Sequence, residues 1–290
     1  MPRMEHARIV ERLVASSRSS DLLFVVKSDK IPLGMFADVV RLSRCPVVLW
    51  FMDSYANVRE GLDRAKLASF LFYYEGSDGQ VFKDAGVRAR PMDLAADMRW
   101  YRPLNSVQRY DFSFIGTFYE NRLDLLEYLS SALAGHRIVV KGQYVAALRP
   151  WTVLAFKKQY PHLFKVVRHV QMASHEQINV LNNASKIGLN MMRNGSIDSL
   201  NMRVFELCAS GAFQLVGRCP ALERCFDVGK EVEVFSSKEE AADKTRYYLR
   251  NEKARVEIAK NGRQRVAECH SMRVRTREML DTLQREGVLG

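Results

Sequence analysis

Apolar runs of strand length alternate with amphipathic stretches along the whole chain, and this alternation restricts the fold more than any other feature. Leu22–Val26, Val47–Met52 and Leu67–Tyr73 are continuous apolar runs of the kind buried on both faces of a sheet. Around them, Met4–Ala15 sets Ile9, Val10, Leu13 and Val14 on one helical stripe, and Leu33–Leu42 and Gln80–Ala85 also read as helices. A second series opens with strand Phe112–Ile115, helix Asn121–Leu133 and strand Arg137–Val140. It continues through a helix-rich stretch to Phe164, strand Lys165–Val167, helix His175–Asn183 and strand Lys186–Asn190. A short helix bearing Arg203 and Glu206 follows a polar turn at 194–199, and Gly211 closes it before strand Ala212–Val216. Strand Val232–Phe235 and helices Lys238–Arg250, Asn251–Glu268 (pausing at Gly262) and Ser271–Gln284 complete the chain. Repeated strand–helix units predict an α/β protein with parallel sheets. The periodicity breaks at Pro103, Asn105 and Ser106, which places a linker within Trp100–Arg109 and divides the chain at 1–106 and 107–270, with a last helix over 271–290.

A chain of 290 residues can bury two cores of ordinary size. Its longest apolar runs fall well short of the ~20 residues needed to span a membrane, and Met-Pro-Arg-Met-Glu-His lacks the plan of a secretion signal. Five cysteines without tight pairing read as reduced thiols of a cytoplasmic protein, and the Cys219/Cys225 spacing does not make a metal site. No metal and no bound cofactor are expected. The net charge of +11 favours an anionic partner. Its lysines and arginines are scattered rather than gathered into an arm, so nucleic acid is not expected. The basic C-terminal helices are interleaved with acids and read as a solvated face, the sharper reading being weak peripheral attraction to the inner membrane surface.

In an open parallel sheet, ligands sit beyond the carboxyl ends of the strands. That rule selects Asp53, Gly116-Thr117, Lys141-Gly142 and the turn Met191–Ser199 with the helix start after it. Gly116 permits close backbone approach to a phosphate, and Arg122 and Lys141 are cations near the same edge. Arg203 and Glu206 stand three residues apart on one helix face. A helix N-terminus (amides near Ser199–Asn201) with an arginine suits a phosphate, and a carboxylate on the same face suits a sugar diol. His175 and His270 read as helix-start or packing residues, and Asp53 reads either as a general base or as a strand-terminal cap.

Several segments carry a resemblance to a known family. They are Asp111-Phe-Ser-Phe-Ile-Gly-Thr117 with Asn121-Arg122, Ser185–Asn190, Asn201-Met-Arg-Val-Phe-Glu206, Ser210-Gly-Ala-Phe213, Phe226–Glu231, Tyr247-Tyr-Leu249, Ile258–Gly262 and His270-Ser271. In that order they resemble the spore-maturation CgeB-like group of glycosyltransferases, with earlier echoes at Trp50–Asp53, Lys83–Val87 and Ala95–Asp97. The resemblance implies a GT-B fold, two Rossmann-like domains facing a central cleft, with the last helix returning to the N-terminal domain. It implies a hexosyltransferase-like, metal-independent enzyme that takes a nucleotide-diphosphate-sugar as co-substrate. The acceptor hydroxyl would belong to an anionic glycan or glycolipid. Glu206 matches the carboxylate that takes the ribose hydroxyls, and Asp198, eight residues earlier, stands where relatives place an acid near the donor sugar, its other reading being a turn or N-terminal capping residue. The chain opens with a helix where relatives open with a strand and glycine-rich turn. A shortened acceptor side is therefore expected, rebuilt or completed by another copy of the chain.

The donor-binding set is thus Gly116, Thr117, Arg122, Lys141, Ser199, Asn201, Arg203 and Glu206, with Asp53 and Asp198 as catalytic candidates. Three alternatives stay open: a degenerate transferase that only binds nucleotide-sugar, a dinucleotide-dependent oxidoreductase and a nucleic-acid binder. The oxidoreductase reading lacks a Gly-x-Gly-x-x-Gly after any expected strand.

Overall fold

The computed structural model of the chain describes residues 3–142, 150–169, 173–193 and 198–290. Two compact units form, one from Met1–Leu94, Ile197–Ser199 and Arg275–Gly290, the other from Ala95–Ser196 and Leu200–Val274.

The first unit holds α1 (Arg3–Ser16), β1 (Leu23–Val26), α2 (Leu33–Leu42), β2 (Val47–Phe51), α3 (Gly61–Leu67), β3 (Phe70–Tyr73), α4 (Gly79–Asp84) and β4 (Ala89–Pro91). Its four strands are parallel in the order β1-β2-β3-β4. β2 is buried along its whole length, which is why its sequence is apolar without alternation. Val47, Leu49 and Phe51 pack with Phe36, Ala65, Leu71 and Phe82, while Met35 and Val39 of α2 meet Val10 of α1. The apolar run Leu67–Tyr73 is not one strand. Leu67 ends α3, a helix the sequence pattern did not reveal, and pairing begins at Phe70. Periodicity cannot separate a buried strand from the end of a buried helix. Strand β4, only three residues long, was also missed.

The second unit contains β5 (Tyr110–Ile115), α5 (Glu120–Ala132), β6 (Ile138–Gly142), α6 (Pro150–Gln159), α7 (Pro161–Val166), β7 (Val167–His169), α8 (His175–Asn183), β8 (Ser185–Asn190), α9 (Met202–Ala209), β9 (Gln214–Gly217), α10 (Pro220–Cys225), β10 (Glu233–Phe235), α11 (Lys238–Arg250), α12 (Glu252–Cys269) and the start of α13 (Met272–Arg285). The expected strand Lys165–Val167 is displaced, because α7 runs to Val166 and β7 starts at Val167. The helix α10, begun by Pro220 at its first turn, had no counterpart in the sequence reading.

Six parallel strands run in the order β10-β9-β8-β5-β6-β7. The chain enters at β5, steps outward through β6 and β7, then returns to build β8, β9 and β10 on the other side. The strand order therefore reverses between β5 and β8, and such a switch point leaves a crevice at the carboxyl ends of the two strands. Phe112, Phe114, Ile187, Leu189 and Leu215 of the strands pack with Leu126 and Leu129 of α5 and Tyr248 of α11.

The segment Trp100–Arg109, expected as a linker, belongs to the second unit, as do the residues from Ala95 that lead into it. The amides of Arg102 and Leu104 donate to Asn179 and Asn183 of α8, and Ala96 pairs with Ser271. α12 does not pause at Gly262. Glycine is required there because a Cβ would lie 2.3 Å from the carbonyl oxygen of Glu231.

Candidate functional site

Arg122 spans the switch point. From the first turn of α5, its Nη1 donates to the carbonyl of Thr117 after β5 (3.0 Å) and its Nη2 to the carbonyl of Met191 after β8 (2.6 Å). The neighbouring Asn121 donates to the carbonyl of Met192 at 3.4 Å. Because α5 starts directly after the β5 turn, one helical turn delivers both side chains to the crevice. The Arg122 guanidinium also lies over the rings of Tyr119 and Phe114, 5.0 and 5.8 Å from their centroids.

Two further arginines converge on this place. Arg193 lies 6.0 Å from the centroid of the Tyr119 ring, and Arg203, in the first turn of α9, is close enough to repel Arg122. Burial, with Arg193 and Arg203 adding repulsion against the opposing effect of Tyr119, pushes the Arg122 guanidinium down to about 10. Among the described residues, several buried polar atoms at this site have no hydrogen-bond partner: Arg122 Nε, Arg203 Nε, Arg203 Nη1 and Asn121 Oδ1. Arg203 Nη1 faces a carboxylate, but the Nε atoms of Arg122 and Arg203 are cationic donors without a hydrogen-bond partner, so the crevice presents unsatisfied positive N–H groups at the carboxyl edge of the sheet. An anion is the ligand that such a set favours.

Arg203 and Glu206 do share one helix face, and the structure pairs them. Arg203 Nη1 lies 2.6 Å from Glu206 Oε2 in a charge contact without an aligned hydrogen bond. Glu206 is only 4% exposed, where the sequence reading had both groups facing a ligand separately. The same i, i+3 spacing that puts two side chains on one face lets opposite charges meet. Tyr101 completes the cluster. Burial first, and then the adjacent Glu206, push its hydroxyl upward, and that hydroxyl lies 2.8 Å from His175 Nδ1 at the start of α8. His175 is thus a helix-start residue that positions Tyr101, and His270 is a buried packing residue against Phe205 and Phe226.

Asn201 is the N-cap residue of α9, but its side chain makes no capping bond. It exchanges hydrogen bonds with Asn190 at 3.0 and 3.2 Å and donates to the Met191 carbonyl at 3.3 Å, which fixes how the chain leaves β8 and enters α9. The first amides of α9 are left without a side-chain acceptor from their own cap. Gly116 lies at the β5 turn. Its carbonyl would stand 2.1 Å from a Cβ on Gly142, so it is Gly142 at the end of β6 that this close approach obliges to be glycine. Lys141 is half-buried on the other flank of β5, beside a cavity of about 340 Å³ lined also by Ile115, Glu176 and Gln177.

The remaining candidates lie in the first unit. Asp53, just beyond β2, accepts from the amide of Ser54 at 2.9 Å and from Asn57 Nδ2 at 3.0 Å. Asp198 and Ser199 are held by Glu75, which is 3% exposed. Glu75 accepts from the Asp198 amide at 2.9 Å and from the Ser199 hydroxyl at 2.6 Å. Asp78 accepts from Ser54 Oγ and the Tyr55 amide. Burial raises its carboxyl, the two hydrogen bonds oppose that, and Glu75 and Asp53 add to the rise. Residues 194–197 of the expected polar turn lie outside the described residues. Arg193, Tyr119, Tyr101, Glu75 and Asp78 were missed. For Arg193 the signal was its place two residues after Met191 in the strand-end turn already selected, whereas Tyr101, Glu75 and Asp78 had no motif to mark them. Among the described residues no three His, Cys, Asp or Glu side chains converge as metal ligands.

Two Rossmann-like units of parallel sheet, the second with its switch point lined by arginines, define the GT-B class of glycosyltransferase folds. The structure of Anabaena HepE in complex with UDP-glucose superposes with a TM-score of 0.71 at 13% identity, covering 98% of this chain and 84% of that one. A glycosyltransferase from Rickettsia africae gives 0.67 at 12% identity, over 97% and 80% of the two chains. Sucrose-phosphate synthase from Thermosynechococcus elongatus gives 0.64 at 13%, over 96% and 77%. Residues 102–281, more than half of the chain, match the family described as glycosyl transferase-like, and the chain belongs to that family. No curated protein matches it in sequence. No helix among the described residues is long and apolar enough to cross a membrane.

Proposed function

We propose that the chain is a hexosyltransferase of the CgeB-like group that moves a sugar from a nucleotide-diphosphate-sugar to an acceptor hydroxyl. The observation that carries this reading is Arg122 bridging the β5/β8 switch point with Arg193 and Arg203 beside it and buried cationic donors lacking acceptors. A donor diphosphate supplies the missing acceptors. The UDP-glucose complex of HepE, of the same fold, supports a donor of this chemical class.

In the reaction the acceptor oxygen bonds to the anomeric carbon, the bond from that carbon to the diphosphate breaks, and the hydroxyl proton passes to a base. Negative charge develops on the departing diphosphate, so fixed cations and amides there lower the barrier. Arg122 and Arg203, with the amide of Thr117 and those of the first turn of α9 after Asn201, take that role, Gly116 keeping the turn open to the phosphate while its own amide donates to the Lys141 carbonyl. Lys141, on the other flank of β5, serves the nucleotide end. These cations do the work a divalent metal does elsewhere, so turnover should survive chelation by EDTA. Asp53 is the candidate general base, Asp198 the acid near the donor sugar, and Ser199 helps to fix the segment between them and α9. The acceptor would be an anionic glycan or glycolipid at the cytoplasmic face of the membrane.

Arg203 holds Glu206 Oε2, so Glu206 takes a ribose hydroxyl through Oε1 or once Arg203 exchanges its carboxylate for a phosphate. A diphosphate gives the guanidinium a second anion and so favours that exchange. UDP and inorganic pyrophosphate distinguish the possibilities. If Glu206 holds the ribose, Glu206→Ala weakens UDP binding by ~1–3 kcal/mol, the scale of a charged hydrogen bond, and leaves pyrophosphate unchanged. If Glu206 only aims Arg203, both ligands weaken together. Thermal shifts against UDP-, GDP-, dTDP- and ADP-sugars test the whole reading, since a ligand that binds the native state raises its melting temperature. A panel that leaves the melting temperature unmoved refutes it. Donor binding without transfer or donor hydrolysis, in the presence of cell-extract acceptors, would assign the chain to a binding module.

A further inference from the structure

Helix α6 concentrates exposed apolar surface within one turn. Trp151 is 65% exposed, Leu154 69% and Val153 37%. Apart from the strand β1, the other exposed large hydrophobics, such as Val107, Tyr247, Val256 and Leu280, stand one to an element, which is ordinary for a soluble surface. On α6, Trp151, Leu154 and Lys158 recur at i, i+3 and i+7 and so share one face, with Lys157 next to it.

The helix cannot turn that face inward. On its other side Phe156 and Tyr160 are buried in the core cluster that also contains Leu163 and the leucines of α5, and the Phe156 ring meets Tyr160 and Phe164. Lys157 is set beside this anchor, its Nζ 5.7 Å from the centroid of the Phe164 ring. The α6 sequence Pro-Trp-Thr-Val-Leu-Ala-Phe-Lys-Lys-Gln has no acidic residue.

We propose that α6 docks the protein on an anionic lipid bilayer, Trp151 and Leu154 entering the interfacial layer while Lys157 and Lys158 meet the headgroups. A tryptophan prefers that layer because its ring is apolar and its indole N–H can remain hydrogen-bonded. Apolar insertion and attraction of basic side chains to acidic lipid act together on such a helix. The same charge pattern argues against a second copy as the occupant. Two α6 faces brought together would oppose lysine to lysine with no carboxylate on either helix. This inference is independent of the donor site.

The test is sedimentation of the full chain with vesicles of phosphatidylcholine alone and of phosphatidylcholine mixed with phosphatidylglycerol. Binding to the mixed vesicles should exceed binding to the neutral ones by roughly tenfold and fall with added salt. Trp151→Ser with Leu154→Ser, in protein that remains folded, should lower it by about tenfold, as expected for loss of apolar area from an exposed face. Lys157→Gln with Lys158→Gln should remove the preference for acidic lipid. Wild-type protein left in the supernatant with both vesicles, or apolar variants that bind like wild type, would overturn the proposal. So would a concentration-dependent dimer dissolved by Trp151→Ser, which would make a second copy the occupant.

Discussion

The carboxyl edges of the two sheets are built alike and charged oppositely. Beyond β2 and β3 of the first unit stand Asp53, Glu75 and Asp78, whose oxygens accept from the backbone amides of Ser54, Tyr55 and Asp198 and the hydroxyls of Ser54 and Ser199. Beyond β5 and β8 of the second unit stand Arg122, Arg193 and Arg203, whose buried Nε atoms at Arg122 and Arg203 have no acceptor among the described residues. The acidic edge satisfies itself with local N–H and O–H donors and needs no ligand to be stable. The basic edge does not, and the donor site proposed above rests on that surplus of buried donors. One architecture thus yields a self-contained loop platform in one unit and an edge with unmatched cationic donors in the other.

The largest expected effect bears on the acidic edge. If Asp53 takes the acceptor proton, Asp53→Asn lowers turnover by roughly 10²–10⁴-fold, the range for a lost general base, while donor affinity measured by calorimetry stays put. An unaltered rate would leave Asp53 as the cap for Ser54 and Asn57. On the basic edge, Arg122→Ala should weaken nucleoside diphosphate binding by about 10–100-fold, since a charge-assisted hydrogen bond is worth ~1.5–3 kcal/mol. Affinity equal to wild type in a folded variant would break the contrast between the edges.

Arg203→Ala should also destabilise the fold by ~1–3 kcal/mol in urea melts, because it leaves the Glu206 carboxylate buried without its partner. Adding Glu206→Gln should recover much of that stability but none of the binding. Glu75→Ala should cost a similar ~1–3 kcal/mol by orphaning the Asp198 amide and Ser199 hydroxyl, yet leave diphosphate affinity unchanged. Weaker binding in that variant would join the two edges functionally.

The smallest effect concerns the opposite, amino end of the second sheet. Burial would raise the Asp111 carboxyl, but hydrogen bonds from Lys186 and Arg137 hold it at about 2. A carboxyl depressed in the folded state stabilises above its unfolded value near ~3.9 and loses that contribution as pH falls toward 2. Asp111→Asn should therefore shallow the acid limb of the stability curve over that window. A limb of unchanged slope would show that Asp111 has the same affinity for protons in both states.

Much of this organisation could be read along the chain. The helices Leu33–Leu42, His175–Asn183 and Lys238–Arg250 begin and end where the pattern put them. Strands β2, β5, β8, β9 and β10 lie within about two residues of their expected limits. These are elements whose own apolar pattern, capping residue or glycine states the answer locally. α3, α10 and β4 were illegible because each is short, seven, six and three residues, and periodicity has too few residues to act on.

For the site, the strand-end rule selected Asp53, Gly116-Thr117, Lys141-Gly142 and the turn after β8, with Arg122 as a cation near the same edge, because alternation of strands and helices fixes which chain segments arrive at the carboxyl edge. It could not foresee that Arg122 would bridge two strands that are neighbours only through the reversed order of the sheet. Nor could it foresee that Arg203 would close on Glu206, or that Glu75 would hold Asp198 and Ser199 more than a hundred residues away in sequence. The local pattern alone determined that parallel sheets would form, and which residues would gather at their ends. Only the tertiary structure decided which of those residues meet, since charge pairing and burial depend on distances that no spacing along the chain encodes.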